Sequence, residues 1–368
     1  MKIGQVIKYL ENFAPSIYQE SYDNSGLLVG NKNTEITGIL IGLDCLETTI
    51  EEAKQQNCNL IITHHPIIFK GLKRLNGNHY TERVVIKALK NDIALYAIHT
   101  NLDNVKNGVN FKIAEKLGLK NIKILVPKTQ TLMKLTVFVP LENTQNLLQA
   151  LAEAGAGQIG EYKNCSFQTQ GIGHFQPKET ANPYIGKANQ EESVAENRIE
   201  VIFPIHLQHE ILNVMQKNHP YEEVAYYLHL LENKNQEIGS GAIGELENEI
   251  SEKDFLGHLS NTMHAKGIKH TKFLGKNIKK VAVCGGTGSF LLGNAMSQNA
   301  DVFVSADFKY HEYFEADNKI LIADIGHYES EQFTSNLLKD YLLAQKDMIL
   351  PIFLTTQNTN PVEYFWVE

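Results

Sequence analysis

The sequence has few cysteines, no long apolar run and no excess of basic residues, and each absence excludes something. Its four cysteines (Cys45, Cys58, Cys165 and Cys284) are scattered without paired spacing. No Cys-x-x-Cys ligand pair can form, and the thiols suit a reducing compartment. No stretch of about 18 apolar residues occurs, so no membrane span or membrane partner is expected. The N-terminus places Ile3, Val6, Ile7 and Leu10 at helical spacing with Lys8 between them. It lacks a continuous apolar core and a small-residue cleavage site, so it does not read as a secretory signal. The formal charge of −8 argues against a dedicated nucleic-acid binder, yet leaves room for a locally positive pocket that takes a phosphorylated substrate. These features predict a cytoplasmic protein.

What remains is ordinary for a globular chain. It has 368 residues, 43% hydrophobic and 21% charged, enough for two or three domains with their own cores. Strands are expected over 59–63 and 93–99, with helices over 81–90 and 110–117. That alternation predicts a largely parallel sheet covered on both faces. Near residue 130 the rhythm changes to β-α-β-β-α-β, with a polar irregular stretch over 176–195. This is the split-βαβ, ferredoxin-like pattern of a complete small α+β domain. From about residue 250 the α/β alternation resumes, with strands over 279–284, 301–305 and 320–325, helices over 310–317 and 330–345, and a terminal strand or arm from residue 361. The expected division is an α/β half over 1–130, an inserted ferredoxin-like domain over 131–235, and a second α/β half over 236–368.

The chemistry-bearing residues fall at strand ends: His64 and His65 in T-H-H-P, Asp103 in H-T-N-L-D, and His327 with Glu331 in G-H-Y-E-S-E. In open α/β sheets, ligand sites collect at the carboxyl ends of strands. Adjacent residues within a strand point to opposite faces, but at a strand exit followed by Pro66 both rings can turn into one cleft. His327 and Glu331 are four helical steps apart and share a face. Each piece has a plainer alternative: one buried and one exposed histidine, an exposed His/Glu pair, an aspartate capping the next helix. Together, three imidazoles and two carboxylates are too many for one open catalytic ion, and suit two ions sharing a bridging carboxylate. Glu331 is the expected bridge. His99 leaves the strand that leads to Asp103 and is a candidate to orient a ligand or shuttle a proton, with a structural histidine as the alternative.

Other segments carry less. Asp307, Lys309, Tyr310 and His311 follow a strand and are expected to line a pocket, Lys309 or His311 being available to a phosphate. Gly239 to Gly244 (G-S-G-A-I-G) matches a dinucleotide fingerprint as a string but reads better as a flexible connection. Cys284 to Ser289 (C-G-G-T-G-S) joins a strand to a helix, and either cradles an anion or allows tight packing. It lacks the Gly-Lys-Ser/Thr of a P-loop. His219 to Glu223 is expected to fix a turn and make oligomer contacts.

At this level of detail the chain resembles the GTP cyclohydrolase 1 type 2 homologue family, also called the Nif-three-like family, in its long form. The matching motifs are S-Y-D-N-S-G-L-L-V-G, T-H-H-P, H-T-N-L-D, G-I-G-H-F, H-P-Y-E-E, I-G-E-L, S-A-D-F-K-Y-H-E and G-H-Y-E-S-E, spread over residues 21–331. The resemblance implies a paired divalent-metal site on His64, His65, Asp103, His327 and Glu331. It further implies a toroidal homohexamer and an insert similar to trimeric PII/CutA modules. Nitrogen and oxygen ligands without thiolate suit zinc, iron, manganese or cobalt. The expected function is that of a metal-dependent hydrolase acting on a nucleotide or phosphoester through metal-bound hydroxide, with Glu331 and His99 as catalytic candidates. The alternative is a non-catalytic metal-binding hexamer whose insert regulates or docks a partner.

Overall fold

The computed structural model of the protein describes residues 1–365. The chain divides into two compact units, residues 1–127 with 236 onward forming one and Lys128–Asn235 the other. Among the described residues, fifteen strands, numbered in chain order, form three sheets.

The first sheet, in the first unit, contains β1 (Gly26–Val29), β2 (Ile39–Gly42), β3 (Leu60–Thr63), β4 (Ala94–Ala97) and β15 (Ile352–Leu354), ordered β1-β4-β3-β2-β15. All pairs from β4 to β15 are parallel and β1 is antiparallel to β4. Every residue of β2, β3 and β4 is buried, which is why these strands read as continuous apolar runs rather than alternating ones. One face packs Leu40, Ile61 and Leu95 against Ile50 and Ala53 of the helix Glu47–Gln55 and Val84, Val85 and Ala88 of the helix Tyr80–Lys90. Each such large aliphatic side chain contributes about 1.5–3 kcal/mol by leaving water.

The second sheet contains β5 (Lys120–Lys128), β10 (Asn235–Ser251), β11 (Lys269–His270), β12 (Asn277–Thr287), β13 (Val302–Ala306) and β14 (Leu321–Asp324), ordered β11-β14-β13-β12-β10-β5. Only β12, β13 and β14 are mutually parallel, with antiparallel strands on both sides. The expectation of a flexible connection over Gly239 to Gly244 is wrong. These residues lie inside β10, where Ala242 to Glu245 pair with Lys280 to Val283 of β12. The glycines permit close approach: a Cβ at Gly239 would sit 2.2 Å from the Val126 carbonyl oxygen.

Three other expectations change. The helix predicted over 330–345 is two, His327–Glu331 and Thr334–Leu343. Between them the Gln332 side chain donates to the Glu329 and Met263 carbonyls. The helix predicted over 310–317 is a 3-10 segment, Tyr310–Ala316, stopped by Asp317 in a left-handed conformation. The expected terminal strand or arm has no regular structure over 361–365, and its remainder, 366–368, lies outside the described residues. Among the described residues, no helix is long and apolar enough to cross a membrane.

The second unit runs β6 (Leu132–Pro140), helix Thr144–Glu153, β7 (Phe167–Phe175), β8 (Glu192–Pro204), helix Gln208–Asn218 and β9 (Tyr226–Leu231). Strand order is β7-β8-β6-β9, with all neighbours antiparallel. Leu135, Val137 and Val139 of β6 and Ile199, Val201 and Phe203 of β8 meet Leu147, Leu151, Ile211 and Met215 of the two helices. β8 takes the last residues of the stretch expected to be irregular over 176–195. A cavity of about 1210 Å³ in this unit is lined by Phe138, Gly173, Arg198 and Tyr227 among others.

Candidate metal centre

Four histidines converge at the carboxyl ends of strands, each oriented by an acceptor. β3 ends at Thr63, whose hydroxyl donates to the His65 carbonyl at 2.8 Å and tightens the exit turn. The rings of His64 and His65 consequently face the same side, with centroids 5.1 Å apart. His64 is fully buried and donates Nδ1–H to the Ile98 carbonyl at 2.8 Å. His65 donates Nδ1–H to Asp44 Oδ1 at 2.7 Å. His99, just past β4, donates Nδ1–H to Asp23 Oδ1 at 2.7 Å. His327, at the start of its short helix, donates Nδ1–H to Asp307 Oδ2 at 2.6 Å. Because every acceptor is a carbonyl or carboxylate oxygen, each neutral ring carries its proton on Nδ1 and keeps the Nε2 lone pair free.

Those nitrogens surround Glu331, a buried carboxylate whose two oxygens serve different neighbours. Oε2 lies 2.9 Å from His65 Nε2 and 3.1 Å from His327 Nε2, and the two nitrogens are 3.2 Å apart. Oε1 lies 3.8 Å from His64 Nε2, which is 3.6 Å from Asp103 Oδ1. Three groups of potential ligand atoms result: His65, His327 and Glu331; His64, Asp103 and Glu331; and His64, His65 and His99. The first two share Glu331. C-G-G-T-G-S, the final part of which leaves β12, supplies the close packing behind this carboxylate. Gly286, at φ +58°, leaves no room for a side chain, since a Cβ would stand 2.6 Å from Glu331 Oε1. Its amide donates to Ser330 Oγ at 2.9 Å, and the Gly285 amide donates to Asn110 Oδ1 at 2.9 Å.

The electrostatics are those of a cation site. Burial disfavours a charged His65, but Asp44 and Glu331 outweigh it and push its pKa up to about 10. Burial likewise opposes, and Glu331 and Asp307 overcome, in raising His327 to about 11. Glu331 is held well below the carboxylate range against its burial, chiefly by His327. Asp103 moves the other way, pushed up to about 7 by burial and then by the Glu331 charge. The hydrogen bond from His327 holds Asp307 low.

A divalent ion fits the residues present. His64 Nε2 and Asp103 Oδ1 are buried and have no hydrogen-bond partner, an arrangement costing roughly 1–3 kcal/mol per group when nothing else satisfies it. Edges of 2.9–3.2 Å among the His65, His327 and Glu331 atoms match the ligand–ligand spacing around one ion. Bonds of about 2.1 Å give edges of about 3.0 Å in an octahedron and about 3.4 Å in a tetrahedron.

The structure therefore brings together all five residues expected as metal ligands, with His99 beside them. Sequence reasoning assigned no role to Asp23 and Asp44, and placed Asp307 in a pocket wall, whereas each orients one imidazole. Asp44 and Asp307 do follow strand ends, the one signal that pointed to them. Lys309, Tyr310 and His311 belong to none of the three groups. His219 fixes a turn, with Nε2–H donating to the Phe138 carbonyl at 2.8 Å and Nδ1 accepting from the Tyr221 amide.

Comparison with known proteins identifies the family. The family model described as Duf34/NIF3 (NGG1p interacting factor 3) matches residues 1–361. A Bacillus subtilis protein named GTP cyclohydrolase 1 type 2 homolog is 38% identical over 364 residues, 98% of each chain. A Halalkalibacterium halodurans protein of the same name is 37% identical, covering 99% of this chain and all of the other. The crystal structure of a Bacillus cereus protein related to NIF3 is similar over 99% of both chains, with a TM-score of 0.87 and 35% identity.

Proposed function

Since the chain belongs to the Duf34/NIF3 family, we propose that it binds two divalent ions on His64, His65, Asp103, His327 and Glu331 and works as a metal-dependent hydrolase on a nucleotide or phosphoester. The observation that carries this is Glu331, whose two carboxylate oxygens face separate groups of imidazole and carboxylate ligands. His65, His327 and Glu331 would hold one ion, and His64, Asp103 and Glu331 the other. When bound, such ions polarise a substrate oxygen and acidify a coordinated water.

The chain's own groups supply the rest. Asp44 and Asp307 fix the Nδ1–H tautomers of His65 and His327, keeping their Nε2 atoms directed at the centre. His99 Nε2, with the ring locked by Asp23, is placed to accept or return a proton. Without an ion, Asp103, raised to about 7 by burial and the Glu331 charge, changes protonation near neutral pH. Zinc, iron and manganese all suit this donor set. The same reading places the protein in the cytoplasm as a homohexamer. It also takes the second unit as a ferredoxin-like, PII/CutA-like insert, supported by the β7-β8-β6-β9 order. The cavity in that unit favours a second reading, in which the metal centre is non-catalytic and the insert binds a regulatory molecule.

The test is the metal content of protein purified without added metal, for the wild type and Glu331→Ala. About two ions per chain, falling sharply in the variant, supports the bridged pair, and hydrolysis of nucleotides or phosphoesters that is lost with the metal supports catalysis. One ion or none, unchanged by the substitution, refutes the dinuclear centre. Two ions without turnover on either substrate class favours the binding role.

A further inference from the structure

The chain beyond β15 is held by three acidic side chains, one of which, Asp44, also orients a candidate ligand of the metal centre. Thr355 and Thr356 bond to Glu52, a carboxylate only 6% exposed, through both hydroxyls and the Thr356 amide. Next, Thr359 Oγ donates to Asp44 Oδ2 at 2.6 Å. Asp44 Oδ1 in turn accepts from His65 Nδ1, so one carboxylate joins the C-terminal segment to a ligand ring. One residue later, Asn360 Nδ2 donates to Glu329 Oε1 at 3.0 Å. Glu329 is a buried residue of the five-residue helix that carries His327 and Glu331. A stretch of six residues therefore bonds to Asp44, the partner of His65, and to the helix that carries His327 and Glu331, yet contains no member of the metal-competent groups.

Resting on the metal-binding reading above, we propose that residues 355–360 form a strap coupled to the metal centre, with Thr359 a positioning residue for His65. Thr359 occupies one oxygen of Asp44 and leaves the other aimed at Nδ1. Without that hydroxyl the carboxylate is free to rotate, and the ring loses its fixed approach to the ion. Coupling is reciprocal by thermodynamic necessity: whatever the docked strap adds to ion affinity, a bound ion adds to strap docking. Release of this segment, by a partner or by cleavage, would then lower metal affinity without any ligand being touched.

The experiment uses the full chain with zinc as the probe. Zinc affinity is measured by chelator competition for the wild type, Thr359→Val and Thr359→Ser, and amide exchange over 355–360 is followed with and without zinc. Valine keeps the shape without the hydroxyl, whereas serine keeps the hydroxyl. A direct partner of a metal-bound histidine changes affinity by about 10–100-fold, and Thr359 acts one bond further out, so a loss of about 3–10-fold is expected for the valine variant. Serine should restore affinity to within about twofold of wild type, and zinc should slow exchange across the strap. A purely structural role predicts lower thermal midpoints for the valine variant with and without zinc, at unchanged affinity. That result overturns the proposal, as does equal weakness of the serine variant or strap exchange indifferent to zinc. A wild-type chain that takes up no zinc removes the metal reading itself, and the strap with it.

Discussion

On the metal-binding reading, protons held by His65 and His327 compete with the ions, and metal affinity is expected to depend steeply on pH. With His65 at about 10 and His327 at about 11, both rings are protonated at pH 8 when no ion is present. A bound ion requires both Nε2 atoms neutral, so occupying the His65–His327–Glu331 group expels two protons. The sign follows from mass action: acid favours the protonated, ion-free form, and affinity falls as pH falls. Two protons make the slope about 100-fold per pH unit, or about ten-thousand-fold between pH 8 and pH 6 and about 5 kcal/mol. Below about pH 7, protonation of Asp103 steepens the loss for the group that includes it. Titration calorimetry at pH 8 in two buffers of different ionisation heat counts the protons directly. Asp44→Asn removes one cause of the His65 shift, so that ring is more nearly neutral at pH 8 and the count should drop toward one. Release of well under one proton by the wild type, or a count unchanged in Asp44→Asn, would refute the reasoning.

Two further outcomes are expected. Gly286→Ala places a Cβ 2.6 Å from Glu331 Oε1 at a backbone φ of +58°. It should cost about 1–2 kcal/mol of stability from the left-handed conformation alone and displace the shared carboxylate, which denaturant melts and metal content would each show. Asp23 is depressed against its burial by bonds from His99 and Thr100. Its contribution to stability is therefore present above about pH 4 and lost as pH falls through the depressed value. Asp23→Asn should flatten the acid limb of the stability curve, and an unchanged limb measured by acid titration of the thermal midpoint would count against that role.

The candidate ligands were legible in the sequence, and their supports were not, for a physical reason. His64, His65, Asp103, His327 and Glu331 are of residue types that few other roles concentrate at strand exits, and three exits carrying them reinforce one another. The orienting aspartates had no such signal. Asp44 lies 21 residues from His65, Asp307 lies 20 from His327 and Asp23 lies 76 from His99, so only tertiary folding joins each pair. Aspartate in a turn is also what local backbone chemistry alone would select. The parallel core of the first sheet was visible in its continuous apolar runs, β3 above all.

Gly239 shows the opposite failure. Glycine there read as looseness, because sequence records the missing side chain and not the carbonyl of Val126 that fills its place. The same ambiguity attended C-G-G-T-G-S, where Gly286 proves to be the wall behind Glu331. In both segments the glycine is required by what packs against it, a neighbouring strand in one and the shared carboxylate in the other. Close approach rather than mobility is thus what these glycines contribute, and the second of them lets one carboxylate face two groups of candidate ligands at once.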